Sequence, residues 1–180
     1  MGEKAPWKKR QAIPDPQVLD AAQQYETARG ILWAAAQPGT GILLPLMNTA
    51  AMAIELYLKS LSAEVVHVAD EGLPGVSVYA KPAVTNRKGH VLAGLLDELD
   101  DDIRALLEAA YAEALQPTLK QQPGLRDVLA GIDGAMVASR YPFEPDKDIT
   151  KYKLDHLMRV PTFLDEFTRN LEPRDRIKWQ

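Results

Sequence analysis

The chain has 180 residues, 46% hydrophobic and 26% charged, with a formal net charge of -4. That size and balance suit one globular domain with a single core, and the charge gives no global attraction to nucleic acid or to an anionic membrane. The absence of cysteine excludes disulfides, thiolate zinc sites and a cysteine nucleophile, and fits a cytoplasmic setting.

Residues 1–14 read as a loose basic arm, with Lys4, Lys8, Lys9 and Arg10 against Glu3. No apolar run follows these cations, so no secretory signal is expected. The domain proper is expected over 15–172, followed by a short basic tail over 173–180. Asp15 and Pro16 form a helix start, a capping carboxylate followed by a proline in the first turn. Val18, Ala21, Tyr25, Ala28, Leu32 and Ala35 then recur at steps of three and four, which predicts one face of an amphipathic helix. Pro38 and Gly39 end it.

A second helix follows Gly41. Met47, Ala51, Ile54, Leu58 and Leu61 form its main stripe, and Leu46, Met52, Leu56 and Tyr57 make the other faces apolar too. A helix of this kind is central to its domain. Its most apolar part, residues 42–54, is interrupted by Pro45, Asn48 and Thr49 and falls far short of the roughly 20 residues a membrane helix needs.

The pattern then changes period. Val65–Ala69 and Val76–Ala80 are β-prone and flank a Gly/Pro-containing loop, which predicts a hairpin insertion over 64–81. Helical spacing returns at His90. Leu92, Leu96, Leu99, Ile103, Leu106 and Ala110 keep one phase, and both one long helix and a break at Asp100 are physical. Residues 116–124 read as a loop. A fourth helix begins at Leu125, is weakened by Gly131 and Gly134, and stops near Tyr141 because Pro142 follows. Leu154, Leu157, Pro161, Leu164, Phe167 and Leu171 mark a fifth. The expected fold is an all-α, up-down bundle of about five helices with a small β-hairpin.

Few polar groups within these helices carry possible chemistry. Asn48, Glu55 and Lys59 share one side of the second helix. Glu55 and Lys59 have the favourable i,i+4 order for an ion pair, and a charge on so apolar a helix must find a partner. These residues, with Arg87, are candidates for a polar pocket. His90 follows Gly89 at a helix start, where an imidazole can take a proton from a ribose hydroxyl. Arg140 closes the fourth helix. There it either complements the helix dipole or turns inward to clamp a phosphate or a carboxylate such as Glu55. His90 and Arg140 are the candidate catalytic pair. His67 and His156 lack zinc-motif spacing, and Glu98–Asp102 places its acids on one solvated turn, so no metal site is expected.

Three segments, Ala50–Leu61, Arg87–Leu96 and Ser139–Glu144, occur in an order that resembles the HEPN superfamily of helical domains. The resemblance spans about 16–171. It implies a bundle of four or five helices, frequent dimerisation, and a role in toxin–antitoxin, defence or RNA-processing systems. A nucleotidyltransferase-type protein is among the partners it implies. Active members are metal-independent endoribonucleases, so no cofactor is implied. Their arginine is followed by four to six residues and then a histidine. Here Arg140 is followed by no such histidine, and Arg87 precedes His90 by only two intervening residues. The resemblance therefore implies a non-catalytic or atypical RNA- or nucleotide-linked module. An endoribonuclease using His90 and a structural partner protein are the alternatives.

Overall fold

Helix α2 is the element on which the others are assembled. In the computed structural model, which describes residues 8–69, 77–78, 90–114 and 123–179, α2 spans Leu43–Ser60 and buries ten of its side chains. Ile54, Tyr57 and Leu58 are fully enclosed. Pro45 lies in its first turn, where a missing N–H is tolerated. Helix α1 (Pro16–Ala35) packs along it. Asp15 caps α1 as expected: its Oδ1 accepts from the Gln17 and Val18 amides at 3.0 Å each. The Asp15 amide also donates to the Ser60 carbonyl, tying the start of α1 to the end of α2.

The buried face of α1 is only partly the one its apolar spacing predicts: Val18, Ala21, Ala28 and Leu32 are half-buried, and Leu32 packs on the core. Tyr25 and Ala35 are exposed, whereas Ala22 and Arg29 are buried. Alanine-rich helices carry little moment, and the packed face is chosen by long-range partners. Here the Arg29 guanidinium, buried with Glu26, reaches the Met158 Sδ and Thr162 Oγ1 across the bundle.

Two of the five expected helices are each divided, giving seven among the described residues. Helix α3 (Leu92–Asp97) and helix α4 (Asp101–Ala114) are separated by a turn at Glu98–Asp100. The break shifts the buried phase by one position. Ile103, Leu107 and Tyr111 face inward and Leu106 is exposed, where an unbroken helix would have buried Leu106. Helix α5 (Leu125–Ile132) ends at Asp133, and Gly134, at φ 78°, starts helix α6 (Ala135–Arg140). That left-handed backbone suits glycine and interrupts the helix. Helix α7 (Leu154–Asn170) contains Pro161 in its buried face, and Leu157, Val160 and Leu164 complete that face.

The expected hairpin is present as two antiparallel strands, Val65–Ala69 and Ser77–Val78, paired through Val68–Val78 and Ala69–Ser77. The sheet is larger than the sequence predicts. Strand β1 (Lys8–Ile13) pairs with β2 (Val65–Ala69), and the tail forms β4 (Arg174–Trp179) against the other edge of β1. The order is β3-β2-β1-β4, with Ser77–Val78 as β3. Residues 8–13 of the arm and 174–179 of the tail are therefore paired strands. Arg174 and Arg176 reach from β4 to the Asp100 and Asp102 carboxylates at the start of α4. Hydrogen bonding from Arg176 holds the Asp102 carboxyl below its ordinary range. Among the described residues no helix is long and apolar enough to cross a membrane.

Candidate functional site

Glu55 sits in the middle of α2, and its side chain is only 5% exposed. Removing a carboxylate from water costs several kcal/mol, so about two strong partners are needed to hold it there. Lys59, one turn on, places Nζ 2.5 Å from Oε1. His90, at the residue before the α3 N-cap, places Nδ1 2.8 Å from Oε2. Each carboxylate oxygen therefore has its own nitrogen.

The two partners differ in exposure. Lys59 is largely buried at 16%, while His90 is 59% exposed. A carboxylate can only accept a hydrogen bond, so the shared hydrogen belongs to Nδ1 of His90. In the neutral ring this leaves Nε2 as the acceptor. No hydrogen bond to Nε2 is present among the described residues. A buried carboxylate thus fixes the ring and its tautomer, and the side chain that carries Nε2 is 59% exposed. This is the arrangement that general acid–base chemistry uses.

Arg140 does not clamp Glu55. Its side chain is exposed, and Nη2 lies 3.8 Å from the Met52 Sδ. Lys59 and His90 supply the contacts to Glu55, and the guanidinium lies against Met52, three residues earlier on α2. Asn48 is also apart from the cluster: its Nδ2 donates to the Met136 carbonyl at 3.2 Å and joins α2 to α6. Asn48, Met52, Glu55 and Lys59 nevertheless form one stripe of α2 by their spacing, with α6 against its first half and His90 at its second. Arg87 lies outside the described residues.

The entry to α3 is positioned from a different helix. The Asp133 Oδ1 accepts from the Leu92 amide at 2.6 Å and supplies a cap to α3 across the fold. Burial raises the Asp133 carboxyl above the ordinary carboxylate range, and the Leu92 and Ala93 amides pull the other way. This contact fixes the backbone two residues beyond His90.

Two further arrangements escaped the sequence reading. Tyr57, fully buried, donates to Asp165 at 2.8 Å, and burial holds its phenol far above the ordinary range. Glu26 and Arg29 form a forked pair, and Arg29 lines a 560 Å³ groove with Trp33, Met158 and Phe163. Their i,i+3 spacing was the available signal, but such pairs usually lie in solvent. Among the described residues no group of acidic, histidine or cysteine side chains converges as a metal site.

The chain matches no family model, no curated protein and no solved structure.

Proposed function

We propose that this chain is an atypical HEPN-like protein that acts on RNA without a metal, with His90 as its acid–base group. The observation that carries the reading is the His90–Glu55 contact, in which a buried carboxylate orients an exposed imidazole. Nε2 takes the proton of a ribose 2′-hydroxyl, and the 2′ oxygen attacks the adjacent phosphorus. The bond to the 5′ oxygen breaks, and that oxygen recovers a proton from water. The products are a 2′,3′-cyclic phosphate and a 5′-hydroxyl. Lys59 balances the Glu55 charge, and the exposed Arg140, against Met52 on the same stripe of α2, is the candidate to receive a phosphate.

A second reading, an RNA- or nucleotide-binding module without cleavage, is favoured by the departure from the family's arginine–histidine spacing. Incubating the purified chain with single-stranded RNA in EDTA separates the two. Cyclic-phosphate ends that vanish in a folded His90→Ala variant support the acid–base reading. Binding without cleavage supports the module. Cleavage by His90→Ala at the wild-type rate overturns the assignment of His90.

A further inference from the structure

The most exposed large apolar side chain among the described residues is Phe143, at 80%. Tyr141, two residues earlier, is 46% exposed. The rings meet edge to face, with centroids 6.4 Å apart and planes at 87°. Exposing two aromatic rings side by side forgoes the burial that normally holds such residues inside.

Their backbone is fixed. The Tyr141 amide donates to the Val137 carbonyl at the end of α6, and the Glu144 amide donates to the Tyr141 carbonyl at 3.1 Å. This closes a four-residue turn with Pro142 at its second position, where proline's fixed φ fits. The rings are therefore presented by a constrained turn, and little backbone entropy remains to be lost on binding.

Arg140 immediately precedes the turn and is exposed. Its guanidinium rests against Met52, and Met52 stands three residues before Glu55 on α2. Those three residues correspond to a rise of about 4.5 Å. Aromatic rings, a cation and the His90 imidazole thus follow one another on neighbouring parts of the surface. The acids of the loop are Glu144, Asp146 and Asp148. Asp146 is paired with Lys147, and Asp148 accepts from Thr150.

We infer that Tyr141 and Phe143 form a stacking platform for an unpaired nucleobase of single-stranded RNA, with Arg140 on the adjoining phosphate. The inference rests on the RNA reading given above and adds the form of RNA that is recognised. Every base has a π face, so stacking of this kind is tolerant of sequence but requires bases that are free of a duplex. An edge-to-face pair also leaves the faces of its edge-on ring open to a third ring.

The test is fluorescence anisotropy with the full chain in EDTA, using a 2′-O-methyl single strand that cannot be cleaved. Its duplex and an abasic strand of equal charge serve as comparisons. The wild type should prefer the single strand to both. Tyr141→Ala/Phe143→Ala should weaken single-strand binding roughly tenfold or more, with unchanged circular dichroism, and Phe143→Trp should retain it. Trp33→Ala, which removes an exposed ring on α1, should bind like the wild type, and because the strand cannot be cleaved its binding is read independently of the acid–base reading. Undiminished binding by the double alanine variant overturns the platform. So does equal affinity for the abasic strand, or no binding by the wild type. A double variant that changes only the solution mass assigns the rings to contact between copies of the chain and also overturns it.

Discussion

The Glu55 carboxylate, buried in the centre of α2, lies 2.8 Å from Nδ1 of His90, a residue that is mostly in solvent. The contact joins two elements far apart in sequence and is asymmetric. Glu55 depends on its partners to be buried at all, whereas His90 has water available without Glu55. The energetic burden of the pair therefore rests on the carboxylate.

That asymmetry predicts unequal variants. Glu55→Ala leaves the largely buried Lys59 ammonium without its counter-charge and should destabilise the fold by about 1–3 kcal/mol. His90→Ala takes away the partner of Glu55 Oε2 but, because the ring is mostly in solvent, lets water replace it, and should cost less, about 1 kcal/mol. Urea denaturation of the two variants beside the wild type measures this. Equal losses would show that His90 is as structural as Glu55.

Asp133 gives a dependence on pH whose sign follows from its burial. Its carboxyl is raised in the folded chain, so the fold binds a proton more readily than the unfolded chain does. The associated stability is complete below the ordinary aspartate value of about 3.9 and is lost as pH rises through the raised folded value. Asp133→Asn keeps an oxygen for the Leu92 amide and removes the ionisation. It should be neutral or stabilising at pH 7 and should abolish this part of the slope. Asp133→Ala leaves the start of α3 uncapped and should cost about 1 kcal/mol. Thermal melts between pH 3.5 and 7 distinguish the two.

Gly134 carries the division between α5 and α6. At φ 78° a side chain is strained, and a Cβ there would also lie 3.1 Å from the Tyr152 hydroxyl. Gly134→Ala should destabilise by about 1–2 kcal/mol. Adding Tyr152→Phe should recover only the part due to crowding. Full recovery in denaturation midpoints would place the whole cost in the contact.

The legibility of the chain follows the range of the forces that fix each part. Helix α2 is apolar on every face, and that pattern predicts its central place without reference to any partner. The Glu55–Lys59 pair is local in the same way. Local periodicity fails at Leu106, because a break three residues wide at Glu98–Asp100 moves the buried positions to Leu107 and Tyr111. It fails at Arg29, whose burial is decided by Met158 and Thr162 on a distant helix. Strands β1 and β4 were illegible for a similar reason: each is short and basic, and Lys8 finds its partner at Trp179. In the site, the sequence singled out both Glu55 and His90. It named Lys59 as the partner of Glu55 and left Arg140 as an alternative one; spacing along the chain cannot say that His90 rather than Arg140 is the second group to arrive.

The most direct measurement of the site is a double-mutant cycle on RNA cleavage in EDTA, with Glu55→Gln, His90→Ala and the two combined, each verified as folded. If Glu55 acts by orienting His90, Glu55→Gln should slow cleavage and His90→Ala should abolish it. The double variant should then be no slower than His90→Ala alone, because the two residues act as one unit. Wild-type cleavage by His90→Ala, or independent and multiplicative losses from the two substitutions, would contradict the account.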